Sequence, residues 1–214
     1  MNFDFAEFFE PNPMALFGPH TPIGIENAAY YTTLPLRKTL AKLVDFDYLN
    51  SKKTRISLGA VNLCRGEMTY FDSRAESLAI EHVLASGALP PAFPAIRVKD
   101  DFYWDCGVYS NTPIESVLDD NPRHDSLIFT ADVWNPEGAK PDTLWQVACR
   151  EKDIRYASRA GSHIARQKQI HHLRHIISEL FQTMPEELRN SRRVKELASW
   201  VAERRYTLSG SALR

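Results

Sequence analysis

The sequence predicts an α/β fold followed by a helical tail, and three observations carry that expectation. Short aliphatic and aromatic runs bounded by turn formers are interleaved with stretches of helical periodicity in the first two thirds of the chain. From Thr143 onward only the helical period remains. The 214 residues are 43% hydrophobic and 25% charged, the balance of an ordinary globular chain.

Taken in order, the first thirty residues carry Pro11, Pro13, Gly18, Pro19, Pro22 and Gly24 among aromatics. They read as an extended, irregular lead-in with little to bury against. Thr33 is placed to cap a helix in which Leu36, Leu40, Leu43 and Val44 recur at helical spacing up to Phe46. RISLGAVN (55–62) predicts a buried strand and EMTYFD (67–72) its neighbour, joined by a turn at Arg65-Gly66. A helix is expected over 77–85. Three prolines in SGALPPAFPAIRV then force a loop before a strand near Ile96. Lys99-Asp100-Asp101 turns that strand into FYWDCG as a hairpin. SLIFTADV (126–133), a continuous apolar run, reads as one further strand of a sheet covered on both faces. Beyond Thr143, Leu144, Val147, Ile154, Ala157 and Ile164 begin a long helix with a candidate break at Gly161. A second helix is centred on Val194–Val201, and YTLSGSALR reads as a frayed end.

Composition excludes several functions. Lys plus Arg number 26 against 27 for Asp plus Glu, so net charge gives no sign of nucleic-acid binding. No apolar run approaches the ~20 residues of a membrane span. MNFDFAEFFEPNP is acidic and does not read as a secretory signal. Three widely spaced cysteines without a C-x-x-C predict free thiols in a reducing cytoplasm, and no cysteine-based zinc site.

Few residues stand out as chemistry. In FYWDCGVYSNTP (102–113), Asp105 falls where an aromatic strand meets turn formers. Such a position presents a carboxylate to a cleft, or simply caps nearby backbone N–H groups. Cys106 follows it, with His82 and His124 as distant candidates for a base; a lone cysteine is more often a small buried residue. Between Arg150 and Arg174 seven cations face two acids, with His163, His171, His172 and His175 in the same region. His171 and His175 share a helix face, but no carboxylate at matching spacing completes a metal site. The basic stripe reads as a solvated face, or as one that touches an anionic membrane surface. No Gly-x-Ser-x-Gly and no glycine-rich phosphate loop occurs in the chain.

ASGALPPAFPAIRVKDDFYWDCGVYSNTPIESVLDDNP closely resembles the second motif block of patatin-like phospholipases. In that family, paired prolines and a hairpin lead to an Asp-Gly-Gly or Asp-Gly-Ala whose aspartate is the base of a Ser–Asp dyad. An Asn-x-Pro turn follows. Asp105 matches the dyad aspartate, and Asn111 and Pro113 match the turn. TTLPLRKTLAKLVDFDYLN, RISLGAVN and DSLIFTADVWNPEG with its Arg- and His-rich helix resemble a bacterial branch that carries a C-terminal extension. The resemblance runs from about Asn27 to Trp200.

The resemblance implies a partial three-layer α/β/α sheet over 1–142 and a helical extension over 143–214. It implies hydrolysis of lipid carboxylic esters through an acyl-serine intermediate, with Asp105 as base and neither metal nor cofactor. The family's serine and glycine-rich oxyanion segment are not found here, so the chain is expected to open in the middle of the family's domain and to be inactive alone. The alternative is a non-catalytic module that pairs with an N-terminal half encoded elsewhere. Missing first strands would leave SLGAVN or a neighbour with an open edge, which invites that partner or a second copy of the chain. Peripheral membrane contact is a further expectation. Cys106 stands where the family has glycine. A position that needs positive φ would charge a cysteine about 1–2 kcal/mol; one that needs close backbone approach would be crowded by it.

Overall fold

The computed structural model describes residues 7–110, 112, 114–118, 120, 126–131 and 134–202, with side chains throughout except at 115, 160 and 200–202. By its contacts the chain divides into two units, one running to Tyr109 and one starting at Ser110.

The first unit is a mixed α/β structure. Strands β1 (Glu10–Pro11) and β2 (Tyr31–Thr32) form a small antiparallel pair. The lead-in is therefore less irregular than expected. Asn12 caps a 3-10 turn over Pro13–Phe17, and its side-chain amide donates to the Asn27 and Ala29 carbonyls. Tyr30 and Tyr31 N–H groups reach the carbonyls of Pro91 and Ala92. Phe9 meets Tyr31 and Phe93 edge-on, with ring centroids 5.0 and 5.6 Å away. Breaker-rich chain can thus be fixed by satisfying its backbone elsewhere.

Helix α1 (Leu34–Leu43) starts after Thr33, as expected, and α2 (Phe46–Leu49) follows with Asp45 accepting from the Tyr48 N–H. Strands β3 (Ser57–Asn62) and β4 (Met68–Asp72) pair antiparallel through the turn that holds Gly66 at φ 66°. That left-handed position is one glycine occupies without strain. Helix α3 (Ile80–Ser86) leads through the proline loop to β5 (Ile96–Val98). Lys99, at φ 56°, and Asp100 turn β5 into β6 (Asp101–Asp105).

The strand order is β4-β3-β6-β5, antiparallel throughout. Of the two places expected for an open edge, SLGAVN itself is not one: β3 is interior, with β4 on one side and β6 on the other. Among the described residues the outer strands are β4 and β5. Opposed residues of antiparallel strands share a face, so Ala60, Phe71, Val98 and Tyr103 all point to one side. There they pack with Leu78 and Ala85 around α3, forming the core. Arg37 of α1 and Glu81 of α3 pair at 2.7 Å.

The second unit is helical: α4 (Glu115–Leu118), α5 (Leu144–Thr183), α6 (Glu186–Arg189) and α7 (Arg192–Ala202). Thr143 and Gln146 cap α5 reciprocally. The Thr143 hydroxyl accepts from the Gln146 N–H, and the Gln146 side chain accepts from the Thr143 N–H. Helix α5 runs through Gly161 without a break. The expected strand over 126–133 is not formed across 126–131, where Leu127 is 83% and Phe129 87% exposed. A strand needs a neighbour to satisfy its backbone, and the unit holds no strand among the described residues to supply one. The rest of that segment, and the tail from 203, lie outside the described residues.

Candidate active site

Asp105 is the last residue of β6 and sits opposite Ala60 of β3, so its side chain points to the face that α3 covers. Its own N–H donates to the Ala88 carbonyl at 3.0 Å, which ties the end of the strand to the residues following α3. One carboxylate oxygen, Oδ1, accepts from the Gly107 N–H at 2.6 Å and so caps the 3-10 turn Cys106–Val108. The cap that an ordinary loop aspartate would make is therefore present. Burial pushes the Asp105 carboxyl above the usual carboxylate range; the Gly107 N–H and the Cys106 side chain pull it partly back. A carboxylate raised in this way is a better proton acceptor near neutral pH than an exposed one. Asn111 and Pro113, the expected turn beyond it, lie outside the described residues.

Cys106 does not adopt positive φ: among the described residues that are not glycine, Lys52 and Lys99 do. The glycine-to-cysteine difference therefore carries no backbone strain here. Crowding is met on the other side. A Cβ on Gly59 of β3 would fall 3.1 Å from the Cys106 Cβ and 3.4 Å from its Sγ. Gly59 supplies the room that the thiol occupies. His82 is no base for this cysteine. Its Nδ1 accepts from the Ala79 N–H at 2.9 Å, its ring packs on Phe71, and its Nε2 lies 4.0 Å from Glu76 Oε2. Burial lowers the His82 pKa, with Glu76 opposing. His124 lies outside the described residues. All three cysteines are free thiols, as expected.

A second polar cluster was not anticipated. Asp72, buried at the end of β4, accepts from Arg55 Nε and from the Ser57 hydroxyl, each at 2.6 Å, and from the Arg74 N–H at 2.8 Å. Burial alone would push Asp72 up, but Ser57, Arg74 and Arg55 together hold it below the usual range. A carboxylate held ionised by a guanidinium is a poor general base, and this one pins β3 to β4. A charged residue at each outer end of the hairpin was the available sequence signal.

In the second unit, His171, His172 and His175 of α5 line one groove with Lys168. His175 Nε2 also meets Glu179 at 3.2 Å. Among the described residues no three His, Cys, Asp or Glu side chains converge as a metal site would require. No described helix is long and apolar enough to cross a membrane.

The sequence matches the family model described as patatin-like phospholipase over residues 2–118, more than half of the chain. The chain belongs to the patatin-like phospholipase family. A second model, described as patatin phospholipase, matches residues 154–209, the greater part of α5 and everything after it to 209. No curated protein and no solved structure matches the chain. The patatin-like region thus begins well upstream of Asn27 and takes in the lead-in as well as the hairpin that carries Asp105. Membership places the chain among lipid hydrolases at the level of the family.

Proposed function

We propose that this patatin-like chain supplies the general base of lipid ester hydrolysis, Asp105, to a serine that these 214 residues do not contain. The supporting observation is Asp105 itself: a carboxylate at a strand end, raised by burial and oriented by the Gly107 N–H, inside the patatin-like match. In the reaction, the serine hydroxyl attacks the ester carbonyl as Asp105 takes its proton. The tetrahedral intermediate then expels the alcohol, which leaves with that proton. Water, deprotonated by the same carboxylate, attacks the acyl-serine, and the serine oxygen takes that proton back as the fatty acid is released. Backbone N–H donors for the oxyanion, each worth about 3–4 kcal/mol of barrier, must come from the same source as the serine. Purified chain is accordingly expected to leave p-nitrophenyl esters intact, and to gain hydrolysis when co-purified with a polypeptide that carries Gly-x-Ser-x-Gly. Hydrolysis by the chain alone would contradict this.

A non-catalytic pairing module is the second reading. The outer side of β4 has no strand neighbour among the described residues, and a partner strand or a second copy could add there. Failure of the two polypeptides to co-purify would remove it. Peripheral membrane contact is supported by Leu173, Ile176, Ile177 and Leu180, an exposed apolar stripe at i, i+3, i+4, i+7 on the basic helix α5. Sedimentation with phosphatidylglycerol vesicles that is no greater than with phosphatidylcholine vesicles would dispose of it.

A further inference from the structure

The second unit contains a groove of about 860 Å³, within the ~300–1,000 Å³ typical of small-ligand sites. Its two walls differ in chemistry. Ile114, Val117 and Leu118, in and just before α4, join Ile128 of the following segment, flanked by Ser126 and Thr130, to make a mostly apolar wall. The other wall is a single face of α5, where Ile164, Gln167, Lys168, His171, His172 and His175 follow one another at i, i+3, i+4, i+7, i+8 and i+11. That face presents an ammonium, imidazoles and an amide, and no Asp or Glu is among the described lining residues. Gln167 is only 5% exposed. Its side chain lines the groove.

A cationic, donor-rich wall against an aliphatic one is complementary to a molecule with an anionic head and one apolar chain. We infer that the groove binds the ionised carboxylate of a long-chain fatty acid. Lys168 Nζ and the N–H donors of Gln167 and His171 hold the head, while the chain lies along Ile114, Val117, Leu118 and Ile128. The choice of a carboxylic acid rests on the proposed ester hydrolysis, which releases one. The groove belongs to the second unit and Asp105 to the first; the inferred role is to retain or export product rather than to take part in the chemistry.

The test is fluorescence titration of the full chain with cis-parinaric acid below its micelle concentration, followed by displacement. Saturable binding is expected, with palmitate competing and methyl palmitate and acetate failing to compete. Lys168→Gln should weaken binding about tenfold or more, the loss of a charge-assisted contact. Val117→Asp should abolish it by placing a like charge on the apolar wall. Both residues are exposed, and unchanged circular dichroism would show that the fold is kept. Absence of saturable binding, equal competition by methyl palmitate, or unchanged affinity in both variants would overturn the inference. No ester is cleaved in this experiment, so failure here leaves the hydrolase reading standing. Failure of complemented hydrolysis with parinaric acid still bound would overturn that reading alone.

Discussion

Gly59 of β3 and Cys106 beyond β6 fit against each other so closely that a methyl group on Gly59 would stand 3.1 Å from the Cys106 Cβ. The same methyl would come within 2.7 Å of Met68 Cε, the movable end of a flexible side chain. The contact that cannot yield is the one with Cys106, because it is set by two backbones.

Gly59→Ala should therefore cost about 1–3 kcal/mol by overpacking. Cys106→Gly should recover much of that loss in the double variant. A double-mutant cycle from urea unfolding checks the coupling. Additive effects would mean that Met68 alone absorbs the strain.

Asp105→Asn should stabilise the fold at neutral pH. Burial disfavours the ionised carboxylate, so its ionisation costs stability as pH rises from the ordinary carboxylate range through the raised folded value. Below that range both forms are uncharged and the gain should vanish. Asparagine still offers an oxygen to the Gly107 N–H. Thermal melts of the two proteins near pH 3 and pH 8 give the comparison, with the difference expected at the higher pH.

Asp72 should behave in the opposite sense. Its side chain is 1% exposed, so Asp72→Ala removes a buried acceptor from the Arg55, Ser57 and Arg74 donors and should cost about 1–3 kcal/mol. In the parent protein the contribution of Asp72 is held above the ordinary carboxylate range and lost as pH falls through its depressed folded value. Acid unfolding of wild type and variant should converge at low pH.

His82 contributes at a higher pH. Burial lowers its pKa, so the folded state takes up its proton later than the unfolded chain does. Stability should begin to fall as pH drops through about 6.5, the ordinary histidine value. His82→Gln should flatten that part of the stability profile measured by urea midpoints.

Local chemistry was readable in the sequence, and pairing order was not. The hairpin through Lys99-Asp100, the turn at Gly66, the helix after Thr33 and the start of the long helix at Thr143 each follow from residues within a few positions. SLGAVN showed itself as a strand, but whether it lies at an edge depends on β6, forty residues later. SLIFTADV has the composition of a buried strand and forms no strand across 126–131, because composition does not supply a neighbour. The Arg55–Asp72–Ser57 cluster joins opposite ends of a hairpin and becomes visible only once the register is known. Asp105 was legible through its setting, a carboxylate ending an aromatic strand; its capping of a nearby N–H was legible too, and the general-base role proposed for it would fall on the same side chain. The groove along α5 needed coordinates, since its apolar wall comes from segments more than thirty positions away.

The most direct measurement is ester hydrolysis by the complex with a serine-bearing polypeptide, comparing wild type with Asp105→Asn. Loss of a general base predicts a fall in kcat of about 10²–10⁴-fold, with KM and complex formation little changed. Equal turnover by the two complexes would show that Asp105 is only the cap of its own turn.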